Sequence, residues 1–175
     1  MKILICFLFL LSVHVFADGF ALMGANGRIV KDTTGEFELQ VPMLIAGGYK
    51  HAPWIFMGDL TYHKDSSAEG GLSIENKQYE VTLSAAYFVD YEDERFLNPY
   101  VTVGLGAFKS FLKYDFSGAS RKEDSLWEPI LKVGGGVWAE VSRHFIINIE
   151  GKGIYSDKIN PKLTFETSLR FGLIF

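Results

Sequence analysis

The residues able to perform acid–base or nucleophilic chemistry are few and lie in polar stretches of the chain. His63, Asp65, Ser66 and Ser67 are near neighbours in sequence, and a histidine beside a serine is the arrangement that activates a hydroxyl for acyl transfer. Serine and aspartate in a polar stretch are usually turn formers, however, because their side chains bond to nearby backbone groups. We therefore expect no catalytic residues in this chain.

Two further stretches have the composition of ligand sites. Gly134-Gly135-Gly136 is rich in glycine, but a phosphate-binding loop also needs a following lysine, a serine or threonine, and a helix. A strand kink or close backbone packing explains these glycines better. The acidic run Glu92-Asp93-Glu94 is interpreted as a solvated turn. Since no histidines and cysteines have the spacing of metal ligands, we expect neither a metal nor a cofactor.

The elements that position these residues are predicted to be strands. In residues 163–175 almost every second residue is apolar, whereas Glu166 and Arg170 fall on the opposite face. Alternation with period two is typical of a β-strand, and seven other stretches show it. The eight predicted strands cover residues 19–30, 37–49, 54–63, 78–90, 100–108, 129–141, 145–156 and 163–175.

The predicted connections alternate in length. Those after the second, fourth and sixth strands are mostly tight turns, whereas residues 64–76 and 115–125 are predicted to form longer polar loops after the third and fifth strands. Pro42 and Pro129 fall within predicted strands. Because each proline removes a hydrogen-bond donor from the ladder, we expect a bulge at both positions.

Residues 1–17 predict a secretory signal peptide that is cleaved from the mature protein. Lys2 precedes an apolar run that contains Cys6, the only cysteine, and this run is shorter than the roughly 20 residues of a spanning helix. The mature chain, residues 18–175, is then a single domain without disulfides. A formal net charge of −4 and the lack of a basic cluster argue against nucleic acid as a partner.

Alternation alone leaves open which face of the strands meets water. A soluble barrel would bury the apolar face, but eight strands enclose a space only just wide enough for their own inward side chains. The bulky apolar residues are too many for that space, so we place them outside, against lipid. The sequence thus predicts an all-β fold, a closed antiparallel up-and-down transmembrane barrel of eight strands. Its interior is predicted to hold a network of ion pairs formed by Arg28, Glu38, Asp59, Glu80, Lys132, Glu140, Glu150, Lys152, Glu166 and Arg170.

Aromatic residues near the strand ends predict two interfacial girdles around an apolar band. One girdle, on the side of the chain termini, comprises Tyr49, Trp54, Tyr91, Phe145 and Phe175. The other comprises Tyr62, Tyr79, Tyr155 and Phe165.

The last strand resembles the C-terminal strand of bacterial outer-membrane β-barrels, in which alternating apolar residues and a final phenylalanine form the assembly signal. The matching residues are Phe165, Leu169, Phe171, Leu173 and Phe175. The whole pattern is similar to the small eight-stranded family that includes the OmpA transmembrane domain, OmpX and opacity-type surface antigens. This resemblance implies export through the periplasm to the outer membrane and a monomeric barrel. The implied partners are outer-membrane lipid and lipopolysaccharide, the barrel-assembly machinery, and host or cell-surface ligands at the external loops.

The resemblance leaves three functions open. The first is a non-enzymatic role in envelope structure or surface contact. The second is a narrow porin or an OmpW-like conduit for small solutes, which the charged interior disfavours. The third is a lipid A-modifying enzyme, since a lipid A palmitoyltransferase and a deacylase are similar small barrels. The palmitoyltransferase holds its acyl chain in an apolar interior, and the deacylase-like spacing of Ser142 and His144 falls in a predicted periplasmic turn. We therefore expect no enzymatic activity.

Overall fold

The computed structural model describes residues 18–31, 37–69, 72–92, 96–116, 119–157 and 163–175. The predicted signal peptide (residues 1–17), the first predicted connection (residues 32–36) and Asp93 and Glu94 of the acidic run lie outside the described residues. None of the described residues belongs to a helix long and apolar enough to cross a membrane.

Within the described residues, ten strands, all paired antiparallel, form one closed sheet. The first and last strands pair with each other, from Phe20 opposite Ile174 to Arg28 opposite Glu166, and this pairing closes the barrel. The predicted all-β, closed antiparallel barrel is confirmed. The strands are β1 (Asp18–Lys31), β2 (Phe37–Gln40), β3 (Met43–His51), β4 (Trp54–Glu69), β5 (Leu72–Phe88), β6 (Leu97–Phe116), β7 (Ala119–Asp124), β8 (Glu128–Ser142), β9 (Phe145–Tyr155) and β10 (Leu163–Ile174).

Two pairs among the ten strands each continue along one line, so the barrel wall has eight strand positions, which we call staves. β2 and β3 both pair with β1 and form one stave that is interrupted at Val41 and Pro42. β7 and β8 both pair with β6 and form another. Pro42 interrupts the strand because it has no N–H to donate, and its carbonyl oxygen instead accepts a 2.9 Å bond from the Asn26 N–H.

The bulges expected at Pro42 and Pro129 are both wrong. At Pro42 the register with β1 is unchanged across the interruption, from Arg28 opposite Gln40 to Ala25 opposite Met43. Pro129 lies in regular register opposite Ala107, and the pairing of β8 with β9 begins only at Leu131. A proline is tolerated there because only one side of the strand is in the ladder. The irregularity of β8 lies at its other end, where the register with β9 shifts between Glu140 and Ser142.

The two ends of the barrel differ in their connections. At the end where β1 begins and β10 ends, which we call the end of the termini, β3 and β4 are joined by two residues, Ala52 and Pro53, and β8 and β9 by Arg143 and His144. At the opposite end, the predicted long loops are mostly strand. β4 and β5 stay paired up to Glu69 opposite Leu72, and β6 and β7 up to Phe116 opposite Ala119. The loop prediction is wrong there because cross-strand hydrogen bonds do not require apolar alternation.

Candidate functional site

An apolar cluster fills the barrel interior at the end of the termini. Phe20 and Trp138 meet edge to face with ring centroids 5.0 Å apart, and Phe88 lies 4.9 Å from the Tyr91 ring. Tyr91 therefore turns inward, and its prediction as a girdle residue is wrong. We call this cluster the plug. Its buried members are Phe20, Leu22, Ala46, Ile55, Met57, Ala86, Phe88, Tyr100, Trp138 and Ile146.

The plug was missed by sequence reasoning because the inward face was taken to be polar along its whole length. The signal was present in runs where both faces are apolar, such as Phe20 to Met23, Ile55 to Met57 and Ile146 to Ile147. A strand that is apolar on both faces is one whose two faces both avoid water. Near the end of the termini, the staves have lipid on one side and the plug on the other.

A first group of four buried charges lies next to the plug, on the side that faces the opposite end of the barrel. Lys152 Nζ lies 2.7 Å from Glu150 Oε2, and Arg170 Nη2 lies 2.8 Å from the same oxygen. Asp59 lies further away, 3.8 Å from Lys152 Nζ and 3.7 Å from Arg170 Nη1. We call these residues the lower quartet. Two cations and two anions leave it without net charge, which is the condition under which charges can be buried.

A second group of four buried charges, which we call the upper quartet, lies further from the plug along the barrel axis. Arg28 Nη2 is 2.6 Å from Glu80 Oε2 and 2.6 Å from Glu166 Oε2. Lys132 Nζ contacts both carboxylates as well, with 2.9 Å to Glu166 Oε1. Each cation thus bridges both anions, and all four side chains are buried. Four bridged charges with complementary signs are held far more rigidly than a single ion pair.

The remaining two predicted interior charges do not join either quartet. Glu140 is half-buried at the edge of the plug, where its Oε1 accepts bonds from Lys50 Nζ at 2.6 Å and Trp138 Nε1 at 3.0 Å. Glu38 is exposed and lies opposite Val30 in the β1–β2 pairing. Its prediction as an interior residue is wrong because it lies at the outer end of its stave, beyond the buried Gln40.

Three layers thus succeed one another along the inside of the barrel, and β10 shows their order. Ile174 packs against the plug, Arg170 belongs to the lower quartet, and Glu166 belongs to the upper quartet. The side-chain amide of Asn26 and the hydroxyl of Thr61, which lies opposite Glu80, are buried without a hydrogen-bond partner among the described residues. Buried polar groups of this kind are normally satisfied by water.

The outer wall of the barrel carries the opposite residues. Leu83 is 71 % exposed and Leu105 is 67 % exposed, whereas the neighbouring inward Thr82 is 1 % exposed. A contiguous apolar surface that runs around the whole barrel is far larger than the apolar patches on a water-soluble monomer. The residues that resemble an assembly signal also lie exposed on this wall: Phe165, Leu169, Phe171, Leu173 and Phe175.

Aromatic rings mark both borders of the apolar wall. Near the termini, Tyr49 stacks on Phe56 at 5.2 Å and Trp54 meets Tyr87 at 5.0 Å between ring centroids. Near the other end, Tyr79 lies 5.1 Å from the Tyr62 ring. Aromatic residues at two such levels are typical of the interfacial girdles of membrane barrels.

Beyond the second girdle, four strands continue as an extension of the sheet. It comprises residues 63–69 of β4, 72–78 of β5, 109–116 of β6, and β7. β6 has 20 residues, about twice the roughly 10 that a tilted spanning strand needs. All six residues of β7 are exposed. The extension therefore stands out from the barrel mouth into solvent.

The candidate catalytic residues lie in this extension and do not form a catalytic group. Alternation places His63 and Asp65 on one face of β4 and Ser66 on the other. The Ser66 N–H donates to Asp65 Oδ1 at 2.7 Å, which is a local turn-type contact. The side chain of Ser67 is not described. At the other candidate pair, it is the backbone N–H of His144, not its ring, that donates to Ser142 Oγ at 3.4 Å, and the ring lies 3.4 Å from the Ile174 carbonyl oxygen. Neither arrangement activates a serine hydroxyl.

Gly134 and Gly136 allow neighbouring staves to approach closely. A Cβ atom on Gly134 would lie 2.0 Å from the Gly151 carbonyl oxygen, and one on Gly136 would lie 2.8 Å from the Tyr100 hydroxyl. These contacts leave no room for a side chain. The glycines are thus packing residues of the interior, as interpreted from the sequence.

The chain matches no protein-family model and no curated protein sequence. It is similar to the crystal structure of Ail, the attachment invasion locus protein of Yersinia pestis, with a TM-score of 0.65 and 16 % identity over 92 % of this chain and 100 % of that one. Neisserial surface protein A gives a TM-score of 0.65 and 21 % identity over 89 % and 95 % of the two chains.

The outer-membrane protein OprG of Pseudomonas aeruginosa is also similar, with a TM-score of 0.53 and 15 % identity over 91 % of this chain and 97 % of that one. All three proteins are small outer-membrane barrels. The likeness extends over the whole barrel, although few residues are identical. The chain therefore has the fold of the small eight-stranded outer-membrane β-barrels.

Proposed function

We propose that this protein is a non-enzymatic barrel of a bacterial outer membrane that holds the extension at the cell surface for contacts with other molecules. The observation that carries the proposal is the contrast between the two ends of the molecule. One end is filled by the plug, and the other continues as paired polar strands that the barrel itself does not need. Extra strand length that buries little apolar surface is better explained by surface contact than by stability.

The filled interior argues against transport as the main role. Two layers of paired charges and an apolar layer of buried side chains follow one another along the axis of the barrel. An eight-stranded barrel has little spare width even without such packing. Ail, one of the similar structures, has been crystallised with the heparin analogue sucrose octasulfate, which gives a precedent in this fold for contact with an anionic ligand.

A narrow conduit is the second candidate. The buried side-chain polar atoms of Asn26 and Thr61 favour it, because they could form hydrogen bonds with water inside the barrel. The plug would then have to open for any solute to reach the periplasm. A lipid A-modifying activity is the third candidate, and no group of described residues supports it.

Two measurements separate these functions. The refolded protein is inserted in planar bilayers, and lipid A from cells that express it is compared by mass spectrometry with lipid A from cells that do not. The surface-contact proposal predicts no steady single-channel conductance and unchanged lipid A. Steady conductance of the unaltered protein would favour the conduit, and a new lipid A species would favour the enzyme.

A further inference from the structure

The two faces of the extension differ in composition. Glu80 of β5 points into the barrel as a member of the upper quartet, so the alternate residues before it, back to Leu72, face the same side. We call this side the inner face of the extension. The pairing of β5 with β6 places three further apolar residues on it. The apolar centre of the inner face comprises Leu72, Ile74, Leu112, Tyr114 and Phe116.

This apolar centre lies outside the bilayer, because the extension begins beyond the second girdle. Phe116 is 55 % exposed, and the other four side chains are half-buried. Apolar side chains that are grouped on one face of a sheet normally pack against another element. Where such a group instead meets solvent, it marks a surface for a partner. The inner face therefore has the composition of a contact surface.

Two hydrogen-bond acceptors border the apolar centre. Asp65 of β4 lies directly opposite Asn76 of β5. The Asp65 carboxylate accepts the N–H of the adjacent Ser66 and forms no ion pair within the described part of the chain, and Asn76 Oδ1 is buried there without a hydrogen-bond partner. The basic residue Arg121 on this face is already paired with Glu123 at 2.6 Å. A lysine or arginine of a partner would supply the N–H donors and the positive charge that these two acceptors lack.

The outer face of the extension lacks this combination. Its carboxylates are paired with lysines of the same face: Glu75 with Lys64 at 3.1 Å and with Lys77 at 2.5 Å, Asp115 with Lys113 at 2.5 Å, and Asp124 with Lys109 at 3.0 Å. Ion pairs of this kind are typical of a solvated face and contribute little free energy. Contact with water thus explains the composition of the outer face but not that of the inner face.

We propose that the inner face binds a basic amphipathic peptide segment, with apolar side chains on the apolar centre and a lysine or arginine beside Asp65 and Asn76. This inference rests on the proposed function and names the class of partner that the extension contacts. A polyanion would meet the unpaired Asp65 carboxylate, which repels it. A purely apolar segment would cover the apolar centre but would leave both acceptors without a donor, which costs free energy when they are buried.

Fluorescence anisotropy with the refolded protein in phosphatidylcholine nanodiscs tests this proposal, and empty nanodiscs give the baseline. The probe is a labelled synthetic octapeptide of alternating leucine and lysine. The test variants are Asp65→Asn and Tyr114→Ser, and the matched controls on the outer face are Asp124→Asn and Phe111→Ser. Loss of one exposed ion pair is expected to weaken binding about two- to fivefold, and loss of an aromatic anchor about tenfold. Both controls are expected to bind the peptide as the unaltered protein does.

A second probe keeps the test independent of any variant. An octapeptide with glutamate in place of lysine is expected to bind the unaltered protein at least about tenfold more weakly. Protection of residues 72–78 from hydrogen exchange shows that the extension is formed in each variant. Equal binding of the two peptides, or equal losses in the test variants and their controls, would overturn the proposal. Binding of a labelled heparin fragment without binding of the basic peptide would also overturn it, and would leave the surface-contact function standing.

Discussion

At the scale of single residues, the barrel interior depends on a balance of charge. In the upper quartet, Arg28 and Lys132 each contact both Glu80 and Glu166, so removal of one carboxylate leaves two buried cations facing one anion. An unpaired buried charge costs far more than the pair contributes when it is intact. The contribution of the upper quartet to stability is therefore best measured for the four residues as a group, because it is not the sum of single contacts.

We predict that Glu166→Gln lowers the free energy of unfolding by about 3–5 kcal/mol, because it leaves an uncompensated buried cation. Arg28→Gln combined with Glu166→Gln restores equal numbers of cations and anions and should recover part of that loss. Urea unfolding in lipid vesicles measures both variants. If the double variant were destabilised by the full sum of the two single changes, the four residues would not act as a unit.

The glycines give a second prediction at this scale. Gly134→Ala should destabilise the barrel by about 1–3 kcal/mol, because overpacking forces the backbone to shift and its Cβ would lie 2.0 Å from the Gly151 carbonyl oxygen. Gly151→Ala is the matched control, since its Cβ meets nothing within 4 Å. The same unfolding measurement applies, and equal stability of the two variants would contradict the close approach of β8 and β9.

Residue types and period two were enough to place most interior charges but not all of them. Arg28, Glu80 and Lys132 lie in the upper quartet, whereas Glu38 is exposed and Glu140 lies beside the plug. Alternation assigns a residue to a face of a strand. It carries no information on how far along the barrel axis that residue lies, and this height decides whether an inward residue is buried, exposed or next to apolar neighbours.

At the scale of elements, the extension is held together by backbone hydrogen bonds between its strands and by exposed ion pairs. Hydrogen bonds from the Lys77 and Lys64 ammonium groups hold the pKa of Glu75 below its usual value. The Lys113 ammonium group, with the Ser120 hydroxyl, lowers the pKa of Asp115 in the same way. A carboxyl whose pKa is lowered in the folded state stabilises that state above its unfolded pKa and loses the contribution as the pH falls.

The extension should therefore loosen in acid before the barrel does. Between pH 7 and pH values below the ordinary Glu75 pKa of 4.5, the carboxyl becomes protonated and its bonds to both lysines weaken. Hydrogen exchange of residues 72–78 should become faster over that range once the intrinsic exchange rates are corrected for pH, while that of the barrel residues 81–88 should not. Glu75→Gln should show the faster exchange already at pH 7. Unchanged protection of the extension in the unaltered protein at pH values well below 4.5, where the lowered pKa of Glu75 has also been passed, would contradict this account.

Sequence alternation predicted the barrel staves and missed the extension for the same physical reason. A stave separates lipid from the interior, so its two faces differ and period two appears. Residues 64–69 and 72–76 have solvent on both sides, so polar residues such as Asp65 and Glu75 occur on both faces and no period is visible across the two stretches. Their strand pairing depends on backbone hydrogen bonds that continue from the staves below, which composition does not reveal.

At the scale of the whole molecule, three environments act on one sheet. The middle of the outer wall requires an apolar surrounding, the interior requires paired charges and an apolar plug, and the extension requires water. Since a bilayer offers no hydrogen bonds to exposed backbone, only the closed ring of staves can lie within it. The apolar wall, the two aromatic levels and the projecting strands together fix the orientation of the barrel across a membrane.

The central claim is that hydrocarbon surrounds the outer wall, and fluorescence quenching by brominated lipids tests it most directly. Leu105→Trp is placed in a background of Trp54→Phe and Trp127→Phe, which leaves only the plug residue Trp138 as a native tryptophan. The control is the background protein without the Leu105→Trp change. An inward-facing Thr82→Trp variant is not used as the control, because Thr82 is buried. We predict strong quenching of the Leu105→Trp protein in vesicles with brominated acyl chains and little quenching of the background. Equal emission of both proteins in brominated and unbrominated vesicles, with a folded monomer in buffer without detergent, would contradict the account.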